Sequence, residues 1–189
     1  MPRTQLKTLF ERNAEFVHDG DDDRRHVPEL PFLPWQHAYV ITCIDPRTDP
    51  AAFLGIGLGD AIVARTVGGR VTPAVVQDLA YIGYLVETKA PEGPYFEVAV
   101  VHHTDCGSGL LADDALRHGF IARTGYAEEA LKALPVLDPA ETVRADVAAL
   151  LDDPRISRRI TVSGHVYDTV TGVLTMVVEP SSPHPGRGV

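Results

Sequence analysis

The sequence predicts an α/β fold, with a mostly parallel central β-sheet flanked by helices. From His37 onward, short runs rich in β-branched and aromatic residues alternate with segments of helical periodicity, as in α/β domains. With 189 residues, 44% of them apolar and 23% charged, the chain is long enough to bury one core without disulfides. These observations favour a single globular domain.

Residues 1–34 are predicted to form a helical arm and linker, followed by an α/β domain at 35–180 and a short tail at 181–189. Within the arm, apolar residues at roughly helical spacing precede an acidic run and a proline-rich stretch; they are Leu6, Leu9, Phe10 and Val17. A short helix with one apolar face must pack on its own domain or on a partner subunit.

The first three predicted strands are short and apolar, and cover residues 38–44, 61–67 and 95–101. Thr72 and Pro73 give an N-cap and first-turn signal for a helix between the second and third strands. The apolar face of that helix consists of Val75, Leu79, Ile82 and Val86.

In the second half of the chain, one helix is predicted to begin near Gly107. Another is predicted after Asp138, since Glu141 three residues later completes a capping-box pattern. The expected buried face of this second helix consists of Val143, Val147 and Leu150. Two β-rich runs, residues 159–168 and 172–179, flank a turn and predict a hairpin or edge strands.

Charge and composition narrow the classes of partner. The formal net charge of −9 and the pI of about 5.3 disfavour a nucleic-acid or anionic-membrane surface. The charge and composition are compatible with small neutral or anionic substrates. The first 13 residues contain no apolar signal-peptide core, so we expect a cytoplasmic protein. In that reducing compartment a structural disulfide between the two cysteines is not expected.

Cys43 and Cys106, the two cysteines, follow predicted strands. Buried thiols are common in protein cores, so the cysteines alone do not indicate chemistry. However, Cys43 ends the first strand, and His103 and Cys106 follow the third; ligand sites of parallel sheets form at the carboxyl ends of strands. Two cysteines and one histidine match a catalytic Zn²⁺ site whose fourth position is open to water.

Asp45 and Arg47 lie two and four residues beyond Cys43, in the same predicted loop. Two thiolates and a neutral imidazole cancel the charge of Zn²⁺, which makes the ion a weaker Lewis acid than one bound by three histidines. Neighbouring residues are therefore expected to assist the reaction. Arg47 is close enough to clamp the Asp45 carboxylate, which could then orient a zinc-generated hydroxide.

Several alternatives remain open from the residues alone. His102 adjoins His103, but only His103 has the H-x-x-C spacing. Asp105 is interpreted as the N-cap of the following helix. A non-catalytic zinc module would result if Asp45 became the fourth ligand. A thiol redox protein is disfavoured by the lack of a C-x-x-C motif.

Together, the two motifs resemble the β-class carbonic anhydrases, whose C-x-D-x-R and H-x-x-C motifs supply three zinc ligands and an Asp–Arg dyad. The resemblance covers most of residues 35–179. It includes the segments GDAIVARTVGGR (59–70) and SGHVYDTVTGVL (163–174).

The resemblance implies reversible hydration of carbon dioxide to bicarbonate on a largely parallel α/β fold. It also implies a homodimer or higher homo-oligomer, held partly by N-terminal helices. The implied metal ligands are Cys43, His103 and Cys106, and the implied catalytic residues are Asp45 and Arg47.

The chain departs from the family pattern at some positions. Where members often have R-N-A-G, this chain has Arg65-Thr66-Val67-Gly68. Members with a regulatory bicarbonate pocket have a tryptophan close before the first cysteine, but here Trp35 is eight residues upstream and Val40 occupies the nearer position. The HTDCG form is similar to a subgroup that includes hydrolases of carbonyl sulfide and carbon disulfide, which makes these compounds alternative substrates.

Overall fold

The computed structural model of the chain describes residues 33–92 and 96–183, together with five helical residues near the N-terminus: Leu6, Leu9, Phe10, Arg12 and Asn13. Leu6, Leu9 and Phe10 are each more than half exposed. Apart from residues 33 and 34, the rest of the predicted arm lies outside the described residues, as does most of the predicted tail.

In the described part of the chain, five strands form one sheet in the order β2-β1-β3-β4-β5. The strands are β1 (Ala38–Cys43), β2 (Ala61–Thr66), β3 (Phe96–His103), β4 (Ile160–Tyr167) and β5 (Leu174–Ser181). All neighbouring pairs are parallel except β4 and β5, which form an antiparallel edge hairpin. The predicted mostly parallel sheet and the predicted hairpin are therefore confirmed.

The third strand extends two residues beyond its predicted end. It includes both His102 and His103, because the pairing with β4 continues until His103 lies opposite Tyr167. The H-x-x-C motif thus starts on the sheet itself.

Five α-helices connect the strands of the described chain. They are α1 (Pro50–Phe53), α2 (Pro73–Lys89), α3 (Asp114–Thr124), α4 (Glu128–Lys132) and α5 (Pro139–Asp152). The predicted caps of α2 and α5 are confirmed: the Thr72 hydroxyl accepts from the Val75 N–H, and the Asp138 carboxylate accepts from the N–H groups of Ala140 and Glu141. Among the described residues, no helix has the length and apolar character that crossing a membrane requires.

Three short 3₁₀ segments occupy the loops at the carboxyl ends of β1, β2 and β3. They are Pro46–Thr48, Val67–Gly69 and Gly107–Ala112. The helix predicted near Gly107 is therefore a 3₁₀ segment, and the α-helix begins only at Asp114. These three segments surround the site described below.

One hydrophobic core joins the sheet to α2 and α5. Tyr39 and Ile41 on β1 alternate along the strand, and so face the same side of the sheet. Leu79 of α2 and Leu150 of α5 pack in the same cluster and are at most 1% exposed. This packing fixes α5 beside β3 and β4, with which it makes extensive contacts.

Candidate metal centre

Cys43, His103 and Cys106 converge at the carboxyl edge of the sheet. β1 and β3 are parallel neighbours, with Ile41 opposite Val100, so their last residues, Cys43 and His103, meet at one edge. Cys106 follows three residues later. One ligand atom from each of the three residues lies within 4.8 Å of the others. The spatial convergence predicted from the strand pattern is present.

The spacing of these atoms fits a Zn²⁺ ion. The sulfur atoms of Cys43 and Cys106 are 3.9 Å apart, close to the roughly 3.8 Å that two sulfurs have in a tetrahedral zinc site with about 2.3 Å bonds. His103 Nδ1 lies 2.8 Å from the Thr104 carbonyl oxygen, to which its N–H donates. His103 Nε2 is buried and has no hydrogen-bond partner among the described residues, which leaves its lone pair for a metal.

The contact between the two thiols shifts their pKa values in opposite directions. A hydrogen bond with Cys43 holds the pKa of Cys106 well below its usual range, and the same contact raises the pKa of Cys43. Ser108 contributes to this difference. Its Oγ accepts from the Val136 N–H at 3.1 Å and so directs its own proton to Cys106 Sγ at 3.2 Å. Sequence reasoning missed Ser108, whose orientation depends on Val136, 28 residues away.

Asp45 and Arg47 are in direct contact. The Asp45 carboxylate accepts from the backbone N–H of Arg47 at 2.9 Å, from Nε at 3.0 Å and from Nη2 at 2.8 Å. Hydrogen bonding by Arg47 lowers the pKa of Asp45 to about 2, so the carboxylate is ionised at neutral pH. Both oxygens of the carboxylate are engaged by the guanidinium.

Asp105 contradicts its predicted role as a helix cap. Cys106, not Asp105, precedes the 3₁₀ segment, and no side chain caps it. Arg47 instead donates from Nη1 to the Asp105 carboxylate at 2.8 Å and from Nη2 to the Asp105 carbonyl at 2.9 Å. Asp105 has a positive φ of 53°, a conformation that Asp tolerates better than most residues. The chain therefore turns between His103 and Cys106, and that turn gives Arg47 a second partner.

The backbone of the Cys43–Asp45 loop is held from two sides. Arg65 donates from Nε to the Cys43 carbonyl at 2.9 Å and from Nη2 to the Asp45 carbonyl at 2.6 Å. The Thr48 hydroxyl lies 2.9 Å from the Asp45 carbonyl. Arg65 thus stabilises the loop that carries Cys43 and Asp45.

An apolar cavity of about 340 Å³ adjoins Cys43 and Asp45. Its apolar side chains come from the three loops and from α3, and are Ile44, Val67, Leu110, Leu111 and Leu116. Among the lining residues, the polar side chains besides Cys43 are Asp45 and Ser108. The cavity suits a small, uncharged molecule better than an anion.

His102 lies outside the group of three ligand atoms. It is fully buried, and its Nδ1 lies 2.8 Å from Thr142 Oγ1. The histidine with the H-x-x-C spacing, His103, is therefore the one that lies beside the two sulfurs.

Comparison with known proteins supports a common ancestry. The sequence model of a family described as carbonic anhydrase matches residues 38–174. The chain is 32% identical over 149 residues to β-carbonic anhydrase 1 of Mycobacterium tuberculosis, which covers 78% of this chain and 86% of that protein. It is 27% identical over 156 residues to a carbon disulfide hydrolase of Acidianus, with 70% and 73% covered.

Solved structures with a similar fold include a carbonic anhydrase. The crystal structure of a carbonic anhydrase from Streptococcus mutans superposes with a TM-score of 0.73 at 31% sequence identity, and covers 94% of this chain and 99% of that one.

Proposed function

The chain belongs to the β-carbonic anhydrase family, and from that membership we propose that it is a zinc enzyme that reversibly hydrates carbon dioxide to bicarbonate. One observation carries the proposal: Cys43, His103 and Cys106 converge beside the Asp45–Arg47 pair. The ligands alone would fit a structural zinc site. The clamped carboxylate next to them favours catalysis.

Cys43, His103 and Cys106 would hold the ion and leave a fourth position for water. Zinc supplies a hydroxide nucleophile near neutral pH by lowering the pKa of coordinated water. The Thr104 carbonyl orients the His103 ring, and the Ser108 hydroxyl donates to Cys106. These contacts hold two of the ligands in place independently of the metal.

Asp45 would orient the nucleophile. Its carboxylate is ionised at neutral pH, and it can therefore accept a hydrogen bond from the attacking oxygen. Arg47 competes with the metal for both carboxylate oxygens. That competition disfavours a non-catalytic zinc module in which Asp45 closes the coordination sphere.

The apolar cavity beside Cys43 would receive the substrate. Carbon dioxide is small and has no net charge, so it loses little hydration when it enters an apolar space. Bicarbonate is charged, and in the cavity it would meet the negative charge of Asp45 and the apolar side chains. The surroundings would therefore promote release of the product.

Carbon disulfide or carbonyl sulfide hydrolysis is the second candidate. The same apolar cavity would accept these linear, uncharged molecules, and one relative named above is a carbon disulfide hydrolase. The higher identity to a β-carbonic anhydrase, 32% against 27%, supports carbon dioxide as the first candidate.

The proposal includes a cytoplasmic homodimer or higher homo-oligomer. Cys43 and Cys106 must stay reduced to serve as ligands, and the cytoplasm maintains that state. The exposed apolar residues Leu6, Leu9 and Phe10 would be covered by a second subunit.

Stopped-flow measurements with carbon dioxide, carbonyl sulfide and carbon disulfide, on one preparation of known zinc content, test the substrate assignment. We expect kcat/KM to be highest for carbon dioxide. A higher value for either sulfur compound would reassign the enzyme to the second candidate.

A further inference from the structure

A buried polar cluster lies next to the proposed metal centre without contributing a ligand. It joins Arg70 from the loop after β2, His102 from β3, and Thr142 and Asp146 from α5. Asp146 is 5% exposed, and His102 is fully buried. A buried carboxylate needs partners to offset the loss of hydration, so its contacts are informative.

Asp146 is the centre of this cluster. Arg70 donates to both of its oxygens, from Nε and Nη2, each at 2.8 Å. The Val71 backbone N–H donates to Oδ2 at 3.0 Å, and His102 Nε2 lies 3.2 Å from the same oxygen. Burial opposes ionisation, but these neighbours hold the pKa of Asp146 below its usual range. The carboxylate therefore carries its charge inside the protein.

Arg70 and Val71 come directly after Gly69, which closely approaches the backbone of β1 and β3. A Cβ on Gly69 would lie 2.9 Å from the Val101 carbonyl and 3.1 Å from the Cys43 backbone nitrogen. The loop therefore packs directly against the backbone of a ligand residue. Asp146 fixes the carboxyl end of this loop.

The other contact of Asp146 reaches the second ligand strand. His102 precedes the ligand His103, and its ring lies between Thr142 and Asp146 of α5. One carboxylate from a helix that supplies no ligand thus contacts the loop that packs against the Cys43 backbone and also the residue that precedes His103.

We propose that Asp146 is a positioning residue that holds the Cys43 and His103 segments in register for metal binding, through Arg70, Val71 and His102. The proposal rests on the proposed function, in which Cys43 and His103 are ligands. Substitution of a residue that hydrogen-bonds a metal ligand typically weakens metal affinity about 10- to 100-fold, and the lower end of that range applies to Asp146, which contacts the neighbours of the ligands. Loss of the Asp146 charge should fall in that range, since it leaves Arg70 without its carboxylate partner.

The test compares Asp146→Asn with Val147→Ala in the full chain. Val147 is the next residue of α5 and is 1% exposed in the core, so its truncation destabilises the same helix without removing a cluster contact. For each protein, the zinc dissociation constant is measured by chelator competition, the visible spectrum after cobalt substitution is recorded, and Tm is determined.

We expect Asp146→Asn to weaken zinc binding at least tenfold and to change the cobalt spectrum, while Val147→Ala lowers Tm and leaves both unchanged. Equal zinc affinity and identical cobalt spectra in wild type and Asp146→Asn would overturn the proposal. Equal weakening in Val147→Ala would also overturn it, because Asp146 would then act only through stability.

If Asp146→Asn does not fold, Arg70→Lys is judged by the same criteria. This substitution keeps the positive charge but removes the bidentate contact with Asp146. A wild-type protein that binds no zinc would refute the proposed function itself, and is thereby distinguished from failure of the positioning role alone.

Discussion

Arg47 and Asp45 make the same contacts as a second Asp-Pro-Arg triplet after α5. In that triplet the Asp153 carboxylate accepts from the Arg155 backbone N–H at 2.9 Å, from Nε at 2.9 Å and from Nη2 at 2.6 Å. The pair is therefore a local motif that this tripeptide can form in different places. Its position beside the proposed metal ligands, and not the pair itself, makes Asp45 a candidate for catalysis.

The repeated triplet provides a matched control. We expect Arg47→Ala to retain zinc but to lose carbon dioxide hydration by at least about tenfold, since a freed Asp45 could bind the metal and displace the nucleophile. Arg155→Ala should keep both zinc and activity. The measurement is the hydration rate with zinc quantified in every sample. Equal activity in Arg47→Ala and Arg155→Ala would refute the role of the clamp.

The ionisation of Asp45 gives a pH prediction. Because Arg47 lowers the pKa of Asp45 to about 2, Asp45 stays charged from pH 5 to 9 and adds no ionisation there. Activity should rise with pH through one ionisation, that of the nucleophile. The logarithm of kcat/KM should thus have a limiting slope of one. A slope of two that falls to one in Asp45→Asn would show that Asp45 titrates in this range.

At the scale of elements, strand positions and helix caps could be predicted from the sequence because they depend on local patterns. The Thr72 and Asp138 caps involve residues only two or three apart. The role of Asp105 could not be predicted in this way, because its partner Arg47 is 58 residues away. The contact between Arg70 and Asp146 spans 76 residues, so it too depends on the packing of α5 on the sheet.

The loop after β2 gives a prediction at this scale. Gly69 has a φ of 70° and touches the Cys43 backbone, whereas Gly125, at the end of α3, has a φ of 73° and open space around its Cα. Gly125→Ala should lower the free energy of unfolding by about 1–2 kcal/mol, the cost of a left-handed backbone conformation for a residue with a Cβ. Gly69→Ala should cost more, about 3 kcal/mol or above, because the methyl group would also displace backbone. Urea denaturation of both variants measures the difference, and equal losses would contradict the close packing.

At the scale of the whole molecule, the N-terminal arm is predicted to support self-association. Leu6, Leu9 and Phe10 are exposed in the single chain, and covering them would stabilise an oligomer. Deleting residues 1–30 should therefore weaken the oligomer, and replacing these three residues by Gln should act in the same direction. Sedimentation at low micromolar concentration measures the mass. An unchanged mass in both variants would contradict this prediction.

In the mechanism we propose, one zinc ion held by Cys43, His103 and Cys106 makes this chain a carbonic anhydrase. The most direct test adds zinc stepwise to chelator-treated protein and follows carbon dioxide hydration by stopped flow. We expect activity to rise in proportion to bound zinc and to level off at about one ion per chain. Cys106→Ser should neither bind zinc at this level nor become active. A wild-type protein that binds one zinc per chain and shows no hydration at any pH from 6 to 9 would contradict the claim.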